Sequence, residues 1–324
     1  MSGRLVVLDA SYGNIEVEIA AAAPYGISIV DAGGVSGQAI VDAAGTADGV
    51  LVQYGKIGAE IIERCPSWRV IGRYGVGVDN VDLEAATKQG IAVINVPDYC
   101  IEEVATHTAA LVLAAWRKLP RSRALIDAER WGEWVALRPV APLSGCTLGL
   151  VGVGRIGGEV VRLLGPFFGR VIAFDPLHEP PPGVERVELD ELFTQADVVS
   201  LHCPLTPETH NLVDAARLAT MKPQALLVNV SRGGLVDTAA LAAALGAGTI
   251  GGAALDVLPT EPPARGDPVL TAPNLLLTNH SAWYSETALI TLRRLLAQRC
   301  GAYLNGEPVP SLVNARELAG RARP

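Results

Sequence analysis

Short apolar runs alternate along the chain with longer segments of helical periodicity, and these runs form two series. The first series begins at Arg4, Ile27, Val50, Arg69 and Ile91, and the second begins at Thr147, Arg170, Asp197, Ala225, Gly251 and Asn274. The runs are continuously apolar instead of alternating, which is typical of parallel strands covered by helices on both faces. The pattern therefore predicts an α/β fold made of two units, each with a parallel sheet.

The segment from Ile101 to Cys146 separates the two series and differs from both. It begins with a long helical pattern that continues through Lys118, and it then becomes an arm that carries Trp131 and Trp134. Tryptophans of this kind more often anchor a packed surface than take part in chemistry. We interpret the segment as the junction between two domains.

Apolar residues recur near helical spacing between Ser285 and Leu304, after the last strand of the second series. This spacing predicts a closing helix. Together with the junction, it predicts a discontinuous first domain of residues 1–98 and 287–324 and a second domain of residues 99–286. A chain of 324 residues is long enough for two domains of ordinary size.

Composition and charge exclude several classes of protein. With 49% hydrophobic and 19% charged residues, the chain is too apolar and too weakly charged to be disordered. The net charge of −8 argues against nucleic-acid binding and against an anionic membrane surface. Five cysteines form no C-x-x-C pair, and no apolar segment is long enough for an export signal or a membrane span. We expect a cytoplasmic protein with reduced thiols and no bound metal.

A glycine motif follows the first strand of the second series and opens a helical pattern. Its residues are Gly152, Val153, Gly154, Arg155, Ile156 and Gly157. The first glycine permits a tight turn, the second allows the backbone to approach a pyrophosphate, and the third allows close packing of helix on strand. Asp175 ends the next strand, eighteen residues past the motif, where an acid accepts the ribose hydroxyls of NAD and repels the 2′-phosphate of NADP. The sequence predicts NAD as the cofactor.

Three charged residues come directly after three successive strands of the second series: Arg232, Glu261 and His280. Open parallel sheets bind ligands beyond the carboxyl ends of their strands, so we expect the three to converge. An arginine can hold a carboxylate and polarise a carbonyl oxygen, and a histidine can give or take the proton. A glutamate on the other ring nitrogen would fix the tautomer. This set of residues suits hydride exchange between nicotinamide and a 2-hydroxy or 2-oxo acid.

The whole chain resembles the D-isomer-specific 2-hydroxyacid dehydrogenase family in the glycine motif, in the segments NVSRGGLVD and ALDVLPTEPP, and in the late histidine segment. The segments GRYGVGVDNVD, NVPDYCIEEVATHT and HSAWYSETA are most similar to the branch of the C-terminal binding protein corepressors and their bacterial dehydrogenase relatives. The resemblance implies two Rossmann-like or flavodoxin-like domains with the active site in a cleft between them. It also assigns catalysis to the same arginine, glutamate and histidine.

The resemblance implies further site residues. Those that would hold or line the substrate are Arg73, Gly75, Val76, Gly77 and Trp283. Those that would contact NAD, besides the glycine motif and Asp175, are Thr108, Cys203, Pro204, Thr209, Val230, Ser231, Asp256 and His280. The first domain would then be the substrate domain and the second the NAD-binding domain, with a homodimer formed through residues 101–146.

Three functions remain open from the sequence. The first is an NAD-dependent D-2-hydroxyacid dehydrogenase that works as a 2-oxo acid reductase. The second is an NAD(H)-sensing binding module like the corepressors, with slow or incidental turnover. The third is an enzyme for another small anion, because formate and phosphite dehydrogenases resemble the family too.

The remaining histidines and Cys203, in the loop of residues 203–209 that would contact NAD, are not assigned to catalysis. His107, His178 and His210 are interpreted as structural. Cys203 is interpreted as a packing residue of the cofactor loop and not as a nucleophile, because the sequence places no base beside it. His202 precedes it at the end of the same strand and is left without an assigned role.

Overall fold

The protein is described by a computed structural model that covers residues 3–319, and these residues divide into two compact units. Unit 1 contains the residues up to Cys100 and those from Ser285 onward, and unit 2 is Ile101–Tyr284. Each unit contains one parallel sheet with helices packed on it. The predicted α/β fold with two parallel sheets is confirmed. The last residues of the predicted first domain, 320–324, lie outside the described part of the chain, as do residues 1 and 2.

Twelve strands are present in the described residues: β1 Gly3–Val7, β2 Ile27–Asp31, β3 Gly49–Val52, β4 Val70–Arg73, β5 Ala92–Ile94, β6 Thr147–Val151, β7 Arg170–Phe174, β8 Glu185–Arg186, β9 Val198–Leu201, β10 Leu226–Asn229, β11 Gly252–Leu255 and β12 Leu275–Leu277. The helices over the same residues are α1 Glu16–Ala22, α2 Gln38–Ala44, α3 Ala59–Glu63, α4 Leu83–Lys88, α5 Ile101–Trp116, α6 Leu119–Glu129, α7 Arg155–Leu164, α8 Leu189–Gln195, α9 Ala215–Thr220, α10 Thr238–Ala247, α11 Glu286–Leu304 and α12 Ala315–Ala319.

The sheet of unit 1 has the order β2-β1-β3-β4-β5, and every pair in it is parallel. The strand order reverses between β1 and β3, so the loops after these two strands begin side by side. The Asp9 carboxylate ties them together, because it accepts the backbone N–H groups of Gln53, Tyr54 and Gly55 at 2.7, 2.7 and 2.5 Å. The carboxyl edge of this sheet is therefore a fixed surface.

One buried ion pair crosses the interior of unit 1 beside this edge. Arg293 of the closing helix α11 donates from Nε and Nη2 to the two carboxylate oxygens of Glu18 at 2.8 and 2.7 Å. The Tyr74 hydroxyl, just after β4, donates to the same carboxylate at 3.1 Å. Both charged side chains are almost completely buried. The pair joins α1 to α11 across 275 residues of sequence.

The sheet of unit 2 has the order β12-β11-β10-β9-β6-β7-β8, again with all pairs parallel. The order reverses between β6 and β9. In open α/β sheets this switch point is where a ligand enters the crevice at the carboxyl ends of the strands. The central strands β6, β9, β10 and β11 are almost wholly buried, in agreement with their continuously apolar sequences.

Two elements differ from the predicted pattern. The two-residue strand β8 was not predicted, because its exposed Glu185 and Arg186 give no apolar signal. The long helix predicted through Lys118 ends at Trp116, and a second helix, α6, follows. Lys118 has φ 56° and Pro120 lies in the first turn of α6. A proline lacks the N–H that a continuous helix needs but is well tolerated in a first turn, so the chain breaks and restarts here.

The closing helix agrees with its predicted span, since α11 runs from Glu286 to Leu304 and the Ser285 hydroxyl caps it by accepting the Ala288 N–H at 2.9 Å. Over residues 3–319, no helix has both the length and the apolar character that crossing a membrane requires.

Candidate active site

The glycine motif forms the turn between β6 and α7 at the switch point of the unit 2 sheet. Gly152 has φ 95°, a conformation that favours glycine, and a Cβ added there would lie 2.9–3.0 Å from the backbone of His202 and Cys203 after β9. A Cβ on Gly157 would overlap the carbonyl oxygen of Gly152. The turn and the helix are therefore packed against each other so closely that only glycines fit. Gly154 is the N-cap of α7, a ten-residue helix, so free backbone N–H groups lie beside the turn.

Asp175 lies at the end of β7 and is fixed by backbone donors. Its Oδ2 accepts the Val153 N–H of the glycine turn at 2.8 Å, and its Oδ1 accepts the N–H groups of Leu177 and His178 at 2.8 and 2.9 Å. Burial raises the pKa of this carboxyl, but these hydrogen bonds outweigh burial and the net pKa lies below its ordinary value. The carboxylate is ionised and tied to the glycine turn.

These residues fit a dinucleotide. Gly152 and Gly154 carry no side chain that could block the approach of a pyrophosphate to the turn, the N-terminus of α7 favours its charge, and the ionised Asp175 favours ribose hydroxyls. Thr108 lies inside α5, fully buried, with its hydroxyl donating to the Val104 carbonyl at 2.7 Å. Its predicted contact with NAD stays a prediction.

The loop after β9, which is predicted to contact NAD through Cys203, Pro204 and Thr209, is held by its own hydrogen bonds. The Thr209 hydroxyl donates to the Pro204 carbonyl at 2.8 Å and accepts the Thr206 N–H at 2.7 Å. Burial raises the pKa of the Cys203 thiol to about 11, helped by the nearby charge of Asp175 and opposed by a backbone hydrogen bond. A thiol with this pKa is protonated near neutral pH, which supports its interpretation as a packing residue.

His202 lies beside the glycine turn and is a residue to which the sequence assigned no role. Its Nε2 is 2.8 Å from the Ser200 hydroxyl, while its Nδ1 is buried and has no hydrogen-bond partner among the described residues. Burial lowers the pKa of this imidazole to about 4. His202 is thus a neutral packing residue behind the turn.

Arg232 follows β10 in a loop that the Asn229 side chain holds by hydrogen bonds. The fully buried Asn229 amide accepts the Ser231 N–H at 3.0 Å and donates to the Arg232 carbonyl at 2.9 Å. The Ser231 hydroxyl donates to the Leu201 carbonyl at 2.9 Å, and Val230 is buried. The Arg232 Nη1 donates to the Ser231 carbonyl at 2.8 Å, and the guanidinium is half-buried.

Gly233 brings the Arg232 loop against the loop after β11. A Cβ on Gly233 would overlap the Leu258 carbonyl and the Pro259 nitrogen. The two backbones are therefore in direct contact, and any side chain at this position would separate Arg232 from the segment that carries Glu261. The sequence gave no sign of this contact.

Glu261 and His280 form a hydrogen-bonded pair. The His280 Nδ1 lies 2.6 Å from Glu261 Oε2, and Glu261 Oε1 accepts the Leu258 N–H at 2.8 Å. A carboxylate only accepts, so Nδ1 carries a proton and Nε2 faces away from the pair. Partial burial raises the pKa of Glu261, but the hydrogen bonds from His280 and Leu258 and the charge of Arg232 lower it further than burial raises it. The pair remains half-exposed, at 36% for each side chain.

Asp256 positions His280. Its carboxylate accepts the Ser281 N–H, the Ala282 N–H and the Thr278 hydroxyl at 3.0, 3.0 and 2.6 Å, and its carbonyl accepts the His280 N–H at 2.7 Å. His280 has φ 55°, a left-handed backbone that a non-glycine residue adopts only when its surroundings impose it. Asp256 is 2% exposed, so the structure gives it a role in holding the histidine loop, while its predicted contact with NAD stays a prediction.

His107, on helix α5, contacts Thr278 and Asp256. Its Nε2 lies 3.1 Å from the Thr278 hydroxyl and 3.7 Å from Asp256 Oδ1. This contact supports the structural interpretation of His107. Trp283 follows the histidine loop, and its ring meets Tyr284 edge to face at 5.7 Å between centroids. The loop from Thr278 to Tyr284 is therefore fixed at several points.

The predicted substrate residues Arg73, Gly75, Val76 and Gly77 lie together at the carboxyl edge of the unit 1 sheet. Arg73 ends β4, and a Cβ on Gly75, whose φ is 132°, would overlap the Arg73 guanidinium. The Gly75 carbonyl accepts the Val96 N–H at 2.9 Å, and the Val76 carbonyl accepts the Asn95 amide at 2.5 Å. Glycine at position 75 thus leaves room for the arginine head group.

The family of this chain follows from comparison with known proteins. The model of the D-isomer specific 2-hydroxyacid dehydrogenase family, NAD binding domain, matches residues 109–282. The chain belongs to this family. Unit 2 contains the matched residues, and this D-2-hydroxyacid dehydrogenase domain binds NAD.

Relatives of this chain are named for several different enzyme activities. Glyoxylate reductase of Korarchaeum cryptofilum is 40% identical over 270 residues, which cover 80% of each protein. D-3-phosphoglycerate dehydrogenase of Methanocaldococcus jannaschii is 38% identical over 302 residues, 90% of this chain but 57% of that relative. The chain thus spans little more than half the length of that dehydrogenase. D-lactate dehydrogenase of Aquifex aeolicus, solved with NAD and lactic acid, has a TM-score of 0.84 at 27% identity, covering 98% of each chain.

Proposed function

We propose that this chain is an NAD-dependent oxidoreductase that reduces a small 2-oxo acid to the D-2-hydroxy acid. The observation that carries the proposal is the hydrogen-bonded pair of Glu261 and His280 beside the Arg232 loop, in a domain that binds NAD. Family membership supports oxidoreduction of hydroxy and oxo acids, and the roles of the individual residues are our proposal.

In this proposal His280 transfers the proton, and Glu261 orients the His280 ring. Nδ1–H is held by Glu261 Oε2 at 2.6 Å, so Nε2 is the nitrogen that addresses the substrate oxygen. The nearby carboxylate favours the imidazolium, which donates a proton to the carbonyl oxygen during reduction and receives it back during oxidation. Bound NADH supplies the hydride that C2 of the 2-oxo acid accepts.

Arg232 binds and polarises the substrate. Its guanidinium has donors in a planar fork that matches a carboxylate, and a positive charge beside the carbonyl oxygen stabilises the negative charge that develops there. In unit 1, Arg73 and the backbone of Gly75 to Gly77 are proposed to hold the substrate carboxylate, with Trp283 of unit 2 lining the side-chain pocket. The domain boundaries that go with these roles remain as predicted, with residues 1–98 and 287–324 for substrate and 99–286 for NAD.

The test is oxidation of NADH, followed by absorbance, with a panel of 2-oxo acids. Glyoxylate is first because a glyoxylate reductase matches over most of both chains, followed by pyruvate, hydroxypyruvate, phenylpyruvate and 4-methylthio-2-oxobutyrate. We expect saturable turnover of at least one acid, and loss of most of that turnover in Arg232→Ala and His280→Ala with NADH binding retained. Near wild-type rates in either variant would contradict the assigned roles.

The same assay addresses the corepressor-like alternative that the resemblance suggested. A binding module of that branch would bind NADH tightly and reduce none of the panel. Similarity to the C-terminal binding protein branch stays a prediction, because the relatives reported above are named as dehydrogenases and a reductase.

The arm of the junction segment supports the proposed homodimer. Helix α6 buries none of its side chains, and Trp131 and Trp134 beyond it are 81% and 72% exposed. Large exposed apolar side chains of this kind mark interaction surfaces. We propose a second copy of the chain as the partner, and expect sedimentation to show a dimer that Trp131→Ser with Trp134→Ser converts to a monomer. A wild-type monomer would overturn the proposal.

We also propose that the protein works in the cytoplasm. The five cysteines, Cys65, Cys100, Cys146, Cys203 and Cys300, are free in the structure, and reduced thiols persist where the surroundings are reducing. Titration of the denatured protein is expected to find five thiols. A lower number would indicate oxidation.

A further inference from the structure

His178 contacts Asp175, the acid that is predicted to select NAD over NADP. Its Nδ1 lies 3.1 Å from Oδ2 and 3.3 Å from Oδ1 of Asp175, and because a carboxylate only accepts, the ring donates. Its Cε1 is 4.0 Å from the position that a Cβ on Gly154 would take. The imidazole is 58% exposed, so it lies open to a ligand beside both the second glycine of the turn and Asp175.

The hydrogen bonds of Asp175 leave little capacity for a ribose. An ionised carboxylate has about four acceptor sites. Three are taken by the backbone N–H groups of Val153, Leu177 and His178, and the His178 ring occupies the remaining one. Ribose hydroxyls and the imidazole therefore compete for the same oxygen atoms. The strength with which the imidazole holds Asp175 decides how readily the ribose binds.

The other charged and titratable groups near this pair keep a constant charge near neutral pH. Arg186 donates from Nη2 to the Asp175 carbonyl at 2.9 Å and pairs through Nη1 with Glu179 at 2.8 Å. Arg155, next to Gly154 on α7, is exposed and always protonated. The raised pKa of Cys203 keeps its thiol neutral, and the lowered pKa of Asp175 keeps that carboxyl ionised. Among the described groups at this site, only a histidine ordinarily changes charge between pH 5 and 8.

We propose that His178 is a specificity-determining residue whose protonation weakens the rejection of NADPH by Asp175. The inference rests on the proposed role of Asp175 as the ribose acid. As an imidazolium, His178 offsets the carboxylate charge and attracts the 2′-phosphate, which strengthens NADPH binding. It also holds Asp175 more firmly against the ribose hydroxyls, which weakens NADH binding. Both effects reduce the preference for NADH as the pH falls.

The test compares Kd values for NADH and NADPH, measured by fluorescence titration from pH 5.5 to 8.5, in the wild type, His178→Gln and His178→Lys. Glutamine keeps a donor for Asp175 but does not titrate, and lysine keeps a positive charge throughout. A phosphate monoester itself takes up a proton near pH 6, and this contribution is common to all three proteins. One charge a few ångströms away in a partly exposed site corresponds to about tenfold in binding.

We expect the Kd ratio of NADPH to NADH to fall about tenfold more in the wild type than in His178→Gln between pH 8.5 and 5.5. In His178→Lys the ratio should be low at every pH. Coincident profiles for the wild type and His178→Gln would overturn the inference. The assay needs no turnover, so failure of NADH itself to bind would instead contradict the cofactor site of the proposed function.

Discussion

Replacing Glu261 by glutamine tests whether the charge of this side chain, and not only its hydrogen bond, serves the reaction. Glutamine retains one acceptor oxygen for His280 Nδ1–H, which preserves the ring orientation, and it gives up the second hydrogen bond, from the Leu258 N–H. The charge that favours the imidazolium is removed. In the wild type the lowered pKa of Glu261 ensures that this charge is present at and above neutral pH.

The structure sets the size of the effect. The Nδ1 to Oε2 distance of 2.6 Å places the two charge centres roughly 4 Å apart, where unit charges interact by about 1 kcal/mol in water and about 4 kcal/mol at an effective dielectric constant of 20. Both side chains are 36% exposed, so solvent screening favours the lower part of this range. About 1–2 kcal/mol corresponds to roughly a 5- to 30-fold lower rate of 2-oxo acid reduction.

The rate is followed as NADH oxidation from pH 6 to pH 8.5. We expect Glu261→Gln to reduce the 2-oxo acid roughly 5- to 30-fold more slowly than the wild type, because the negative charge beside His280 is gone. Glu261→Ala, which also loses the orienting contact, should be slow at every pH. Glu188→Gln is the control, because Glu188 is an exposed acid of the same unit whose side chain makes no cap hydrogen bond. A rate in Glu261→Gln that matches the wild type from pH 6 to pH 8.5 would refute the electrostatic role.

Three further substitutions test the framework that holds the site. Gly233→Ala should abolish most turnover while NADH still binds, since its Cβ overlaps the backbone of the next strand's loop; steady-state kinetics and cofactor titration check this. His202→Asn should remove an acid-dependent loss of stability. Because burial lowers the pKa of His202 in the folded protein to about 4, against about 6.5 for an ordinary histidine, the wild type has its full stability above pH 6.5. As the pH falls towards 4 it loses up to about 3 kcal/mol, measured by urea unfolding at each pH, and identical pH profiles for the two proteins would show that His202 is not responsible. Glu18→Gln should lower the free energy of unfolding by about 3–5 kcal/mol, because it leaves the buried Arg293 without a counter-charge. Asp127→Asn, in an exposed pair, should change the free energy of unfolding by less than about 0.5 kcal/mol, and equal effects of the two substitutions would contradict the burial argument.

Local patterns in the sequence determined most of the fold. All of the long strands coincide with continuously apolar runs, because a strand buried on both faces needs apolar side chains at successive positions. The exposed β8 carries no such signal and was missed. The glycine turn before α7 was predictable for a similar reason, since its spacing is fixed by the geometry of a single turn and the helix that follows it.

The sequence also determined which charged residues follow which strands, and parallel strands end at the same edge. That is why Arg232, Glu261 and His280 were proposed as a set. The spacing along the chain carried no information on their mutual contacts. The structure was needed to show that Gly233 touches the Leu258 backbone and that Asp256 holds the loop in which His280 has a left-handed backbone.

The contact between His178 and Asp175 was also not predictable from the sequence, although the two residues are only three positions apart. His178 was predicted to be structural, since its position in the sequence does not indicate where its imidazole points. The direction is set by the turn at Pro176 and by backbone N–H groups that fix the carboxylate. The ion pair of Glu18 and Arg293 was still less predictable, because these residues are 275 positions apart in the sequence. The strands, the glycine motif and the residue types at the sheet edge could thus be predicted from local patterns in the sequence. Their hydrogen bonds and charges could not, because these depend on groups that are far apart in the chain until it folds.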